Sequence, residues 1–208
     1  MAARSRKKPE KVDVRKVHPE LYRASRDVAQ LRVGRGTYLA VDGIGEPGGR
    51  AFQEAVGRLF AVAYAAKFAL KAAGVADFAV PPFECLWFDD PSRVPRDQWR
   101  WRLLIRIPDG VSARDLRPVR RSLADRKQLD SSTVKRIVWT EGPALQTLHV
   151  GPYDAVGSAY ERLAAAARER GLACAGPGHE VYLSDPRRAA PEKLRTIVRM
   201  GARRAVKR

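Results

Sequence analysis

The segment FECLWFDDP, residues 83–91, aligns without gaps on the segment HEVYLSDPR, residues 179–187. The alignment places Glu84 on Glu180, each near the start of a short and otherwise apolar strand. Glutamate is depleted in strands and is rarely buried without a partner, so finding it at the same place twice needs a reason. The match predicts an internal duplication of the chain.

The flanking segments follow the same order in both halves of the chain. The first half predicts a strand at Thr37–Val41, a helix at Ala51–Ala73 and a closing strand that alternates apolar residues with arginine over 99–107. The second half predicts two strands around a Glu-Gly-Pro turn at 141–143, then a helix at Tyr153–Arg170. We therefore expect an α+β fold: a tandem strand-helix-strand-strand repeat with pseudo-twofold symmetry, an antiparallel sheet with helices packed on it, and a ligand cleft between the halves.

The same patterns predict how the chain is divided. We expect one folded domain between two basic tails, with the two repeats joined by a connector that carries a helix at 112–128 kinked by its internal proline. The predicted boundaries are a flexible tail at 1–18, a domain at 19–199 with repeat 1 at about 37–108, connector 109–133 and repeat 2 at about 134–199, and a second tail at 200–208.

Composition narrows the class of protein. With 208 residues, 45% of them hydrophobic, the chain can bury a core without disulfides. Cys85 and Cys174 lie far apart and lack the neighbouring ligands of a zinc site, so we expect a reduced cytoplasmic setting without a metal. No stretch has the pattern of a signal peptide or a membrane span, and we expect no association with membranes.

The net charge of +17 raises the question of nucleic-acid binding. Residues 1–16 carry seven basic and two acidic side chains, and residues 199–208 carry five basic and none acidic, which together supply +10 of the total. Basic ends of this kind are typical of solvated tails. No helix-turn-helix, zinc-finger or RNA-binding pattern accompanies them, so DNA association through the tails is a minor hypothesis.

Strand periodicity places aromatic side chains around the repeated glutamates. Glu180 shares a strand face with Tyr182, whereas Trp87 lies on the face opposite Glu84. A carboxylate beside aromatic walls suits a hydrophobic cation, or a general acid or base whose pKa rises through burial. For Glu84 the alternative is an exposed strand end or an ion pair with a nearby arginine.

Other residues have a simpler structural interpretation. A satisfied structural role is expected for His149 and for His179, which a regular strand turns away from Glu180. Cys85 is expected to be a small buried hydrophobe. Core packing is expected of three aromatic residues, Phe60, Phe68 and Tyr160.

Several segments together resemble a known family. They are YLAVDGIGEP at 38–47, FECLWF followed by WRWRLLIRIPDGV, LHVGPYD at 148–154 and GHEVYLSDPRRAAPEKLRTIVR at 178–199. In combination, over about residues 37–199, they resemble the stand-alone GyrI-like small-molecule-binding proteins, which include cyclopropanoid hydrolases. The resemblance implies a tandem-repeat domain whose pseudo-twofold cleft accepts flat, hydrophobic and often cationic molecules.

The resemblance also implies roles for individual residues. Glu180 would lie in the cleft and position or deprotonate a water, with Glu84 as a second carboxylate and the Tyr153 hydroxyl as a donor to the oxygen that gains charge. The walls of the cleft would come from four other aromatic residues, Tyr64, Trp87, Trp101 and Tyr182. The sequence departs from the family pattern at Cys85, Phe88 and Gly178.

Two classes of function therefore remain open. The first is hydrolysis of a strained electrophile, such as the cyclopropane of a DNA-alkylating natural product, which would give self-protection or detoxification without any cofactor. The second is binding without turnover, as in a drug-sequestering protein, a sensor or an inhibitor of gyrase. No DNA-binding half of a transcription regulator is recognisable before Thr37.

Overall fold

A computed structural model describes residues 9–127 and 130–205. The order strand, helix, strand, strand occurs twice, as the duplication predicts, and a connecting helix and several short elements accompany the two units. The helices are α1 (Val14–Val17), α2 (Pro19–Tyr22), α3 (Arg50–Ala72), α4 (Ala113–Lys127) and α5 (Gly157–Glu169), and the strands are β1 (Lys11–Val12), β2 (Ala29–Ile44), β3 (Asp77–Phe78), β4 (Glu84–Trp87), β5 (Arg100–Ile107), β6 (Lys135–Val150), β7 (Leu172–Tyr182) and β8 (Arg195–Arg204).

Six strands form one closed antiparallel sheet in the order β2-β5-β4-β7-β8-β6. This order contains two copies of the same three-stranded unit, β2-β5-β4 and β6-β8-β7. Each edge strand of one unit pairs with the equivalent edge strand of the other. Pairing of β4 with β7 joins the two units on one side, and pairing of the long strands β2 and β6 joins them on the other. The expected α+β fold with a pseudo-twofold repeat and an antiparallel sheet is therefore confirmed.

The long strands differ from their predicted bounds. β6 is a single strand of 16 residues rather than two strands around a turn, and β2 begins at Ala29 instead of Thr37. Gly142 adopts a positive φ of 84° but stays paired with Val33, so it bends the β2-β6 ribbon without reversing the chain. The predicted turn at 141–143 is wrong because the partner strand continues past it.

The helices cover the outer face of this sheet. α3 buries Leu59, Val62 and Ala66 against β2 and β5, and α5 buries Leu163 and Ala167 against β6, β7 and β8. α3 lies within one residue of its predicted bounds because its apolar stripe ends at Gly74, where φ is positive. α4 runs through Pro118, and Gln128 of its predicted range lies outside the described residues.

The inner face of the sheet is covered by the chain that precedes β2. Val14, Leu21 and Tyr22 are buried there against Val33 and Ile197. The predicted tail at 1–18 is therefore too long, because its end supplies apolar side chains that close the sheet. At the other end of the chain, β8 extends to Arg204, so residues 200–204 belong to the domain as well. The remaining tail residues, 1–8 and 206–208, lie outside the described residues.

Candidate functional site

The centre of the candidate site is the carboxylate of Glu180, which β7 directs to the outer face between α3 and α5. Its side chain is buried, with 6% exposure. The Tyr160 hydroxyl on α5 donates to Glu180 Oε1 over 2.9 Å, and the Tyr182 hydroxyl donates to Oε2 over 2.7 Å. Glu180 takes part in none of the ion pairs found within residues 9–127 and 130–205. The site therefore holds a buried acid that is hydrogen-bonded but has no cationic partner.

Burial controls the acidity of this group. Removal from water raises the pKa of Glu180 above its ordinary value, and the hydrogen bonds from Tyr182 and Tyr160 offset part of that rise by stabilising the ionised form. Burial beside Glu180 also raises the pKa of both tyrosines well above the ordinary value, so they remain hydrogen-bond donors. A carboxylate with a raised pKa is a suitable proton acceptor in general base chemistry.

An aromatic cluster surrounds Glu180 on the same face. The Phe83 ring stacks on Tyr182 at a centroid distance of 4.5 Å and an interplanar angle of 18°. Tyr153 meets the same Tyr182 ring edge-on at 5.4 Å. Phe52 of α3 stacks on Trp87 at 5.6 Å and 3°. The buried indole N–H of Trp87 lies close enough to Glu180 to favour its ionised form, although Trp87 Nε1 forms no hydrogen bond of regular geometry within the described residues. The cluster offers flat apolar surfaces beside an acid, which suits an aromatic ligand.

Three of the predicted site residues come together in this cluster and one lies beside it. Glu180, Tyr182 and Trp87 share one face because Trp87 pairs with Gly178 across the β4-β7 junction. The hydroxyl of Tyr153 lies 3.5 Å from the Ser184 carbonyl oxygen. Partial burial raises the pKa of Tyr153, so its hydroxyl is protonated and can donate.

Two predicted wall residues lie farther from the acid. Trp101 is buried with its indole N–H donating to the Gly45 carbonyl over 3.2 Å, and it lies beside Trp87, its cross-strand partner, and edge-on to Phe52 at 5.2 Å. Tyr64 is 47% exposed on α3 and stacks on Phe60 at 6.2 Å. The two residues therefore mark the outer border of the aromatic surface.

The structure contradicts the prediction that Glu84 is a second carboxylate in the cleft. Glu84 pairs with Val181 across the junction, while Glu180 pairs with Cys85, so the two glutamates project from opposite faces. The gapless alignment of the two segments is therefore one residue out of register. On the outer face, the residue directly across from Glu180 is the fully buried thiol Cys85.

Glu84 belongs instead to a buried polar network on the inner face. His179 Nε2 lies 2.9 Å from Glu84 Oε2, and His179 Nδ1 lies 3.0 Å from Glu141 Oε2. Arg199 forms an ion pair with Glu141 over 3.1 Å, and the Tyr22 hydroxyl donates to Glu84 over 2.9 Å. The structural role expected for His179 agrees with this arrangement.

Charge within the network sets the protonation of its members. Burial alone would lower the pKa of His179, but Glu141 and Glu84 outweigh burial and raise it. Burial likewise opposes ionisation of Glu141, yet His179 and Arg199 lower its pKa overall. The network therefore favours a protonated histidine between two carboxylates.

A family comparison identifies the fold that carries this site. The model of the GyrI-like small molecule binding domain matches residues 35–200. The chain belongs to the GyrI-like family. A search of curated proteins finds no significant match.

Solved structures of other GyrI-like proteins extend over most of the chain. A protein described as a hydrolase from Listeria innocua is 33% identical, with a TM-score of 0.84, and the match covers 92% of this chain and 100% of that one. A second Listeria innocua structure described as a hydrolase is 32% identical, with a TM-score of 0.86 and coverage of 93% and 100%. The C-terminal domain of EcmrR is 11% identical, with a TM-score of 0.58 and coverage of 86% and 98%, and shares the fold.

Within the described ranges, no three His, Cys, Asp or Glu side chains are arranged to hold a metal ion. Over the same ranges, no helix combines the length and apolar character needed to cross a membrane.

The sequence patterns gave no site role to Tyr160 or Phe83, and they predicted Phe68 in the core. Tyr160 was expected only to pack in the core, because helical periodicity shows its buried face but not the partner of its hydroxyl. Phe83 was given no role beyond its place in the segment FECLWF. A signal for Tyr160 exists at Gly178, where a Cβ atom would lie 2.6 Å from its hydroxyl oxygen. Phe68 is 61% exposed rather than buried, because it lies beyond the border of the cluster.

Proposed function

We propose that this protein binds a planar hydrophobic small molecule against the aromatic cluster and hydrolyses a strained electrophile at Glu180. The observation that carries the proposal is the buried Glu180 carboxylate, which two tyrosine hydroxyls hold among stacked rings. Membership of a small-molecule binding family and the hydrolase description of the Listeria relatives support it.

The environment of Glu180 favours two kinds of partner. A buried carboxylate without a counter-charge is costly, and a cation that enters the site would offset that cost. Aromatic rings attract the same kind of molecule through stacking and cation–π contacts. A flat aromatic ligand that carries positive charge satisfies both features, and a neutral ligand leaves Glu180 available to a water molecule.

The hydrolytic step can be written with this machinery. Glu180 accepts a proton from water, and the water oxygen forms a bond to a ring carbon of a cyclopropane that is conjugated to a carbonyl group. The bond between the attacked carbon and the ring carbon that is conjugated to the carbonyl breaks, and its electron pair moves through the conjugated system onto the carbonyl oxygen. A tyrosine hydroxyl of the cluster, such as that of Tyr153, donates a hydrogen bond to that oxygen. A proton from Glu180 or solvent completes the addition of one water.

Mass spectrometry tests the hydrolysis. Wild-type protein incubated with a cyclopropane-bearing DNA alkylator should convert it to a product heavier by one water. Glu180→Gln should lose this conversion because the amide cannot accept the proton. The matched control is Glu161→Gln, an exposed glutamate on α5 that should retain it. Turnover by Glu180→Gln at the wild-type rate would disprove the mechanism.

Binding without turnover is the second candidate function. It is favoured by the position of Glu84, because the cleft then lacks the second carboxylate expected for acid–base chemistry. In this case the alkylator, or a planar aromatic cation, would bind and be recovered unchanged. Such a result would identify a sequestering protein or sensor with the same ligand class.

A further inference from the structure

Phe83 has an unusual position at the entrance of the aromatic cluster. It follows Pro81 and Pro82 and directly precedes β4. The Tyr182 amide donates to its carbonyl oxygen over 3.2 Å, which fixes the backbone at this point. The ring is half-buried and lies nearly parallel to the Tyr182 ring at 4.5 Å. The backbone of Phe83 is therefore anchored, while its side chain covers Tyr182.

This stack blocks the path to Glu180. Tyr182 is only 9% exposed, since Phe83 covers its face and Tyr153 its edge. Two surface depressions of about 300 and 500 Å³ lie beside α4 and at the paired ends of β2 and β5; Trp101 lines the second, and Glu180 lines neither. A planar molecule that stacks on Tyr182 must take the place of the phenyl ring.

We propose that Phe83 is a gate that determines which ligands reach Glu180. Its ring occupies the stacking position on Tyr182, and rotation about the Cα–Cβ bond moves it aside without a change in the anchored backbone. The Phe83 ring lies edge-on to Phe52 at 6.5 Å and to Phe60 at 6.0 Å, so these two rings of α3 also hold it in the closed position. The inference rests on the proposed function, because it assigns the route by which the proposed ligand enters.

The gate implies a preference for flat ligands. A molecule as thin as the displaced ring can stack on Tyr182 and lie against the moved Phe83, whereas a bulky tetrahedral molecule requires β4 or α3 to shift as well. A ligand also has to bear the free-energy cost of moving Phe83 aside. The apparent dissociation constant is therefore the intrinsic one divided by the fraction of molecules in which the gate is open. Removal of the ring therefore removes that cost.

Chemical modification tests the gate without any ligand. Hydroxyl radicals oxidise aromatic rings that solvent can reach, whatever the protonation state of the hydroxyl, and peptide mass mapping measures the extent at each tyrosine. Phe83→Leu keeps apolar volume but cannot stack as a plane, so oxidation of Tyr182 should rise several-fold relative to wild type. Tyr64, already 47% exposed, is the internal reference and should not change. Equal oxidation of Tyr182 in both proteins would overturn the gate.

Stopped-flow fluorescence with acridine orange, a planar aromatic cation, tests the consequence for binding. If the open form is about a tenth of the population, Phe83→Leu should bind about tenfold faster and tighter than wild type. Phe68→Leu, at an exposed phenylalanine of α3, should match wild type. Slower or weaker binding by Phe83→Leu would overturn the gate. If neither protein binds the dye, the proposed ligand class fails, and the oxidation of Tyr182 by hydroxyl radicals still decides the gate.

Discussion

Glu180 is a buried acid whose chemistry is set by neutral donors rather than by a counter-charge. Burial raises its pKa, while Tyr160 and Tyr182 favour the ionised form. The Tyr160 hydroxyl comes from α5, and the Tyr182 hydroxyl comes from β7, two residues after Glu180. The raised pKa therefore makes the carboxylate a suitable proton acceptor, and the two hydrogen bonds fix its orientation.

Removal of one donor should change the pH dependence of hydrolysis. In Tyr160→Phe the Glu180 carboxylate loses a hydrogen bond that stabilises its charge, so its pKa should rise further. The acid limb of the rate profile, where Glu180 becomes protonated, should then shift to higher pH. Rates measured across pH 4 to 8 test this, with Glu161→Gln, at an exposed residue of α5, as the control. An unchanged limb would show that the hydroxyl does not act on Glu180.

His179 should dominate the stability of the inner face. Replacement by alanine removes the histidine from both carboxylates and leaves buried Glu84 with only the Tyr22 hydroxyl and Glu141 with only Arg199, which should cost about 3–5 kcal/mol of unfolding free energy near pH 6. Because the folded protein raises the pKa of His179, its contribution is complete below the unfolded pKa of about 6.5 and is lost as pH rises through the folded value. Urea unfolding of wild type and variant across pH tests both statements. A pH-independent difference would contradict them.

At the level of elements, the packing of α5 on β7 depends on one glycine. A Cβ atom at position 178 would lie 2.6 Å from the Tyr160 hydroxyl oxygen and 2.9 Å from its Cε1 atom. The Tyr160 ring therefore fits across β7 only because residue 178 has no side chain. The pairing of strand and helix thus positions the donor to Glu180.

Gly178→Ala should reproduce the effect of Tyr160→Phe. The new methyl group displaces the phenol, and the hydrogen bond to Glu180 is lost in both variants. The double variant should therefore resemble either single one in its pH profile instead of showing the sum of two effects. Additive shifts would indicate that position 178 acts on the site independently of Tyr160.

The chain before β2 is a structural element rather than a tail. Its Tyr22 hydroxyl donates to the buried Glu84, and its backbone carbonyls at Leu21 and Glu20 accept from Arg199 and Gln146. Tyr22→Phe should lower the unfolding free energy by about 1.5–3 kcal/mol, the range for a hydrogen bond to a charged group. Chemical denaturation measures the loss. A change below about 0.5 kcal/mol, as expected for Tyr64→Phe at the surface, would contradict this role.

Local patterns explain why some elements could be predicted and others could not. The bounds of α3 follow from its apolar stripe and its terminal glycine, and the apolar positions of β5 follow from alternation. Leu104 and Arg106 on the other side of β5 are buried too, because the sheet closes and gives that face an interior. The alternation of one strand carries no information about closure, so the inner network around His179 could not be predicted.

For the whole molecule, the duplication predicted the fold class and the sheet but misaligned the site by one residue. Glu84 and Glu180 match in sequence, yet strand register turns them to opposite faces. The result is a molecule with two distinct buried polar centres on opposite faces of the sheet, one around His179 and one around Glu180, and we propose the second as the ligand site. Of the two glutamates, Glu180 faces the aromatic cluster and Glu84 does not. The predicted wall residues Tyr182 and Trp87 lie next to Glu180.

The most direct test is calorimetric titration of acridine orange into wild-type protein and Glu180→Gln, with Glu161→Gln as the control. Wild type and the control should bind one molecule with equal affinity. Glu180→Gln should bind at least about tenfold more weakly, equivalent to about 1.4 kcal/mol, because the buried negative charge that attracts the cation is gone. Its melting temperature should not fall, since removal of an ionisable group from a buried site does not weaken packing. Equal affinity for Glu180→Gln and wild type would contradict the assignment of this cleft as the ligand site.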